Sequence, residues 1–182
     1  MKAMLIAPML ARLREPRDLQ DTLSLALRDV LALHGAERGN IQMLDTSGRL
    51  VIVAQSGFPR LFLATFRHVE LDGASVWAPP RGEQRMLVVD DVECDEAFEP
   101  YRPVARAVPY RSVVSSPMAS RDGRLMGMVS AHFANVFTPS RLELEALRAY
   151  CAELADVLLS RAGTDPQAAA EALAAQVMGS VR

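Results

Sequence analysis

An α+β domain is what this sequence predicts: a central antiparallel sheet of about five or six strands, with terminal helices packed on one face and short helices and loops covering the other. Two observations carry that expectation. Arg111 to Phe133 reads RSVVSSPMASRDGRLMGMVSAHF, two runs of strand formers around Asp122-Gly123, the dipeptide a tight hairpin turn favours because Gly takes positive φ without steric cost. Segments with apolar residues at helical spacing stand on either side of the β-rich middle.

The elements follow in order. Asp18 is the expected N-cap of a helix running to His34, because its carboxylate can accept from the free amides of the first turn. Leu19, Leu23, Leu27, Val30 and Leu31 repeat at helical spacing, and Gly35 supplies a left-handed stop. Asn40–Asp45 and Arg49–Gln55 are β-rich and flank Thr46-Ser47-Gly48, which predicts a hairpin. Phe58, Leu61, Phe62, Thr65 and Phe66 form the stripe of a short amphipathic helix. Met86–Asp90 reads as a third strand, and Pro100, Pro103 and Pro109 keep any helix between Val92 and Pro109 short and broken. After the Arg111–Phe133 hairpin, Thr138 as N-cap and Pro139 at the first position open a last helix, which Gly163 ends. Leu144, Leu147, Cys151, Leu154, Val157 and Leu158 give that helix one apolar face.

Composition narrows the function classes. Half of the 182 residues are hydrophobic and 23% are charged, which excludes a disordered chain. A formal net charge of −2 gives no electrostatic reason to expect nucleic acid or an anionic membrane as partner. The apolar run Ala3–Ala11 lacks a convincing cleavage site, and no run approaches the roughly 20 apolar residues of a membrane span. Cys94 and Cys151 are too few and too scattered for a disulfide framework or a zinc site. The expected location is therefore cytoplasmic.

The element order and three local strings resemble bacterial GAF domains of the kind found beside PAS domains in sensor histidine kinases. The strings are GNIQMLD with GRLVIVAQSGF over residues 39–58, VVDDVECDEAF over 88–98, and the long hairpin ending in GMVSAHF. The resemblance covers residues 18–162, leaving 1–17 as an N-terminal extension and 163–182 as an alanine-rich tail outside the domain proper. It implies a GAF-like fold, a small molecule bound between sheet and cover, and terminal helices that pair with a second copy. Where the family often carries Ala-Cys-Gly, this chain has Ala74-Ser75-Val76, followed by Trp77-Ala78-Pro79-Pro80. With no kinase, cyclase or DNA-binding region after the last helix, the expected output is a separate protein.

Each candidate residue has a functional and a structural reading. Alternation on the strand from Arg124 puts Met126, Met128, Ser130 and His132 on one softer, more polar face, as a ligand-facing wall would be; His132 could equally serve a neighbouring backbone group. Asp90 and Asp91 end a strand, where carboxylates cap the next loop or orient a ligand's polar edge. Phe58, Phe62 and Phe66 fit core and pocket alike, and Trp77 could stack on a planar ligand or seal the core. Phe98, Tyr101 and Tyr110 cluster around the proline-rich cover. The expected pocket is thus drawn from Phe62, Phe66, Trp77, Asp91, Phe98, Tyr101, Tyr110, Ser130 and His132, with no catalytic or metal-ligating residue. Five carboxylates crowd Cys94 in sequence and oppose a thiolate. Apolar residues beyond one face of the first long helix, Leu25 and Ala26, predict a homodimer through helices 18–34 and 138–162. The reading that results is a stand-alone, non-enzymatic sensory module for an unidentified small molecule, its cofactor unknown. The alternatives are a dimerisation scaffold with a filled pocket and, third, a redox enzyme of the same fold.

Overall fold

A computed structural model describes residues 6–71, 84–163 and 165–180. Trp77 lies outside the described residues. Among the described residues, six α-helices and five strands follow one another as α1 (Ile6–Arg14), α2 (Leu19–His34), β1 (Arg38–Leu44), β2 (Leu50–Ser56), α3 (Arg60–Thr65), β3 (Leu87–Val89), α4 (Arg102–Ala107), β4 (Ser112–Ala119), β5 (Leu125–Phe133), α5 (Arg141–Arg161) and α6 (Pro166–Ser180). A 3-10 helix, Glu96–Tyr101, precedes α4. The five strands make one antiparallel sheet in the order β2-β1-β5-β4-β3.

Local signals position the long helices. Asp18 accepts from the Asp21 amide at 2.7 Å, and Gly35 closes α2 with φ +69° while its amide donates to Leu31. Helix α5 starts later than expected, at Arg141 rather than after Thr138. Ser140 and Glu143 form a reciprocal capping box, which satisfies two free amides and outcompetes Thr138-Pro139. In the stripe of α3, Phe62 is buried but Leu61 and Thr65 are exposed, because the helix opens only after Pro59 and turns Leu63 inward.

Two apolar clusters sandwich the sheet. On one face Ile41, Met43, Val51, Val53, Val114, Val129 and Ala131 meet residues of α1, α2, α5 and α6. On the other, Leu50, Ile52, Val89, Val113 and Met128 meet the short elements between β2 and β4. Met126 does not share a face with Met128, Ser130 and His132 as alternation predicts. Met118 pairs with Gly127 and Ala119 with Leu125, so Met126 is the extra residue of a bulge and turns to the helix face. Gly127 follows with φ +158°, and a Cβ there would lie 1.9 Å from the Gln42 carbonyl oxygen on β1.

Both ends of the chain pack more fully than the sequence suggests. The N-terminal residues form helix α1, which buries Met9 and Leu13. Its arginines tie it to the domain: Arg12 donates to Asp29 at 2.7 Å, and Arg14 donates to Glu153 at 2.6 and 3.0 Å. Tyr150 completes the junction by donating to Asp29 at 2.9 Å, and Arg161 donates to the Leu13 and Glu15 carbonyls. Leu25 and Ala26, whose surplus suggested a dimer, are buried within the chain itself. The alanine-rich tail is helix α6, lying against β2 and β1 with Ala170 and Leu173 in the helix-face cluster. It does not stand apart, because alanine side chains are small enough to let the helix approach the sheet closely.

Candidate functional site

The sheet face opposite the long helices collects most of the predicted pocket residues, and three elements build it. Strand β5 presents Met128, Ser130 and His132; α3 and its flanks bring Phe58, Phe62 and Phe66; the 3-10 helix and the turn after α4 bring Phe98, Tyr101 and Tyr110. His132 sits at the centre, with Phe58 at 4.9 Å, Tyr110 at 4.9 Å and Phe62 at 5.5 Å between ring centroids, each near perpendicular. Phe58 and Phe62 stack at 3.7 Å, and Phe66, Tyr101, Phe98 and Tyr110 continue the chain of ring contacts.

Burial sets the charge state of this cluster. It pushes the His132 imidazole down to about 3, with Arg38 nearby adding a smaller push in the same direction. His132 is therefore neutral throughout the physiological range. Burial also raises the Tyr110 phenol, which stays protonated. The face offers neutral hydrogen-bonding groups and apolar surface.

A polar row crosses the same face. Asn40, Ser130 and Ser115 are register partners on β1, β5 and β4, and all three are buried. The Ser115 and Ser130 hydroxyls share a hydrogen bond of 2.7 Å. Asn40 is 3% exposed and Tyr110 1%, yet the Asn40 Oδ1 and the Tyr110 hydroxyl have no hydrogen-bond partner among the described residues. Such orphans are uncommon, since desolvating a polar group unpaired costs about 1–3 kcal/mol.

Asp91 has a different occupation. It accepts from both the Nε and an Nη of Arg111, at 3.0 and 2.5 Å, and from the Glu93 amide at 3.1 Å. Arg111 holds its carboxyl below the usual carboxylate range. Cys94 is exposed and donates to Asp91 at 3.5 Å, while Cys151 is buried in α5 with its thiol pushed up to about 12 by burial. Among the described residues no group of three His, Cys, Asp or Glu side chains could hold a metal ion, and no helix is long and apolar enough to cross a membrane. Sequence reasoning passed over Asn40 and Ser115. Their one signal was a polar residue inside each β-rich run, and their partnership depends on strands distant in sequence.

Comparison with known proteins follows the same architecture. The family model described as GAF domain matches residues 16–158. The GAF domain of a phosphoenolpyruvate-protein phosphotransferase from Coxiella burnetii superposes with a TM-score of 0.72 at 16% identity, covering 88% of this chain and 95% of that one. The corresponding domain from Acinetobacter gives 0.69 at 15% identity, over 88% and 93%. Residues 122 to 287 of a methyl-accepting chemotaxis protein give 0.64 at 20% identity, over 85% and 96%. At these identities the likeness speaks for the fold alone. No curated protein matches the chain.

Proposed function

Because this chain belongs to the GAF domain family, whose members are commonly parts of sensory and signalling proteins, we propose that it is a non-catalytic sensory module that takes a small, neutral molecule on the covered face of its sheet. The observation that carries this reading is the pair of buried polar atoms without partners among the described residues, Asn40 Oδ1 and the Tyr110 hydroxyl. A ligand with complementary hydrogen-bonding groups would remove their cost. An uncharged ligand fits best, because the His132 beside Tyr110 is neutral and the described side chains packed here are apolar or neutral rings. Occupancy would be reported by the helices on the opposite face to a separate output protein, which requires different ligand affinity in two helix arrangements.

A second reading has an observation of its own. Phe58, Phe62, Phe66, Phe98, Tyr101, Tyr110 and His132 are in ring contact with one another, as they would be in a filled, purely structural face. Native mass spectrometry of the freshly purified chain, beside a Tyr110→Phe variant, separates the two. Extra mass that disappears on denaturation and is reduced in the variant supports the sensor. Absence of any mass beyond that of the polypeptide in both proteins, with a more stable variant, overturns it in favour of the filled face. A homodimer remains part of the proposal only through the exposed residues of α2 and α5, such as Ser24, Arg28, Glu145 and Arg148. A solution mass showing only monomer at micromolar concentration removes it.

A further inference from the structure

A cavity whose lining includes none of the residues of the ring cluster lies where α3, β2 and α6 meet. The cavity has a volume of about 280 Å³. Its floor is apolar: Ile52 and Leu63 are buried and Ala174 and Met178 half-buried. Its rim carries both signs of charge, and its two carboxylates are already turned to donors of the protein. Asp45 accepts from the Ser47 and Arg49 amides and from the Arg49 guanidinium. Glu171 accepts from the Thr46 amide at 3.0 Å and from its hydroxyl. Arg67 and His68, both exposed at the rim, have no ion-pair or hydrogen-bond partner among the described residues.

We propose that this cavity binds a medium-chain carboxylate, its alkyl chain on Ile52, Leu63 and Met178 and its head group on the Arg67 guanidinium. The Arg67 guanidinium selects the head, because Asp45 is ion-paired with Arg49 and Glu171 is directed at Thr46, while this five-donor group has no partner among the described residues and can take a carboxylate in bidentate fashion. Volume selects the chain. At the roughly 30 Å³ a water-sized unit occupies, the cavity holds on the order of nine non-hydrogen atoms, close to hexanoate and octanoate. A longer or branched body outgrows it, and acetate leaves the floor exposed. The site also uses α6 as a wall, so an occupant bridges that helix to α3 and strengthens its docking on the sheet.

The test is isothermal titration calorimetry of the full chain with acetate, hexanoate, octanoate, decanoate and the uncharged octanamide. Affinity is expected to rise about fourfold per added methylene up to octanoate and to level off beyond it. Octanamide is expected to bind about tenfold or more weakly than octanoate, and Arg67→Gln to lose octanoate affinity by a similar factor. Ala175→Glu, an exposed substitution on the α6 rim, puts a repelling charge at the mouth and is expected to weaken octanoate as well. Tyr110→Phe is expected to leave octanoate binding unchanged. The proposal is overturned if no member of the series binds at millimolar concentration, or if octanamide equals octanoate. It is equally overturned if both rim variants bind like the wild type, or if Tyr110→Phe abolishes binding and so places the ligand on the covered face.

Discussion

Replacing Tyr110 with phenylalanine removes one oxygen from the middle of the covered face and leaves the ring in its contacts. The residue is 1% exposed, its ring meets those of His132, Phe62 and Phe98, and its hydroxyl has no partner among the described residues. In the unfolded chain that hydroxyl is hydrated, so folding the ligand-free protein forfeits a hydrogen bond to water with nothing in return. The forfeited amount is about 1–3 kcal/mol for a buried polar group. Phenylalanine escapes it at almost no cost in packing, and Tyr110→Phe should therefore stabilise the ligand-free protein by about 1 kcal/mol. For a chain of this size that corresponds to a rise in Tm of about 2–4 °C. Urea denaturation of extensively dialysed protein measures the free energy, and a thermal scan checks it. A ligand held by the hydroxyl reverses the order, with wild type then the more stable when saturated. If the dialysed variant is instead destabilised by 1 kcal/mol or more, the hydroxyl has a partner in the ligand-free state, and the argument from its isolation fails.

Three further outcomes follow from the packing. Burial raises the Asp29 carboxyl above its ordinary range against the opposing pull of Tyr150 and Arg12. The folded state therefore holds the proton to higher pH than the unfolded one, and the stability of wild type relative to Asp29→Asn should fall as pH rises from about 4 through the folded pKa; denaturant midpoints of the two proteins across pH 4 to 7 check the sign. Gly127→Ala would drive a Cβ to 1.9 Å from the Gln42 carbonyl oxygen and should cost about 3 kcal/mol or prevent folding, read as lost soluble expression or a collapsed Tm. Leu173→Ala empties the main apolar anchor of α6 and should cost about 2 kcal/mol, with faster amide exchange along residues 166–180 as its signature.

What was legible in the sequence was mostly local. Asp18 and Gly35 bound α2 through hydrogen bonds made within one turn, so their identity alone places the helix. Asp122-Gly123 places the long hairpin for the same reason, with Gly123 at φ +84°. Failures came where a distant partner decides. The alternation of β5 breaks at Met126 because of how β4 is registered against it, and no residue within β5 announces that. Helix α1 looks like a loose extension until Asp29 and Glu153 appear opposite Arg12 and Arg14. The aromatic part of the candidate site could be read, since Phe98, Tyr101 and Tyr110 fall close together in sequence and Phe62 and Phe66 one turn apart. The polar part could not, because Asn40 meets Ser130 only through strand pairing across ninety positions. Asp91, attractive as a strand-end carboxylate, belongs to Arg111, twenty residues on.

Helix α6 has one more consequence. Strand β2 is outermost in the sheet, so among the described residues one side of it has no strand neighbour apart from the single bridge between Leu50 and Val69. Helix α6 reaches both faces there, with Leu173 in one cluster and Val177 and Met178 against the other. It thus straddles the rim of the sheet like a gasket. An uncovered outer strand rich in valine and isoleucine is a template on which a second chain can add its own strand, the first step of aggregation. Whatever loosens α6 would expose Leu50-Val51-Ile52-Val53 in that role. The helix that seemed spare in sequence therefore lies where it would shield that outer strand.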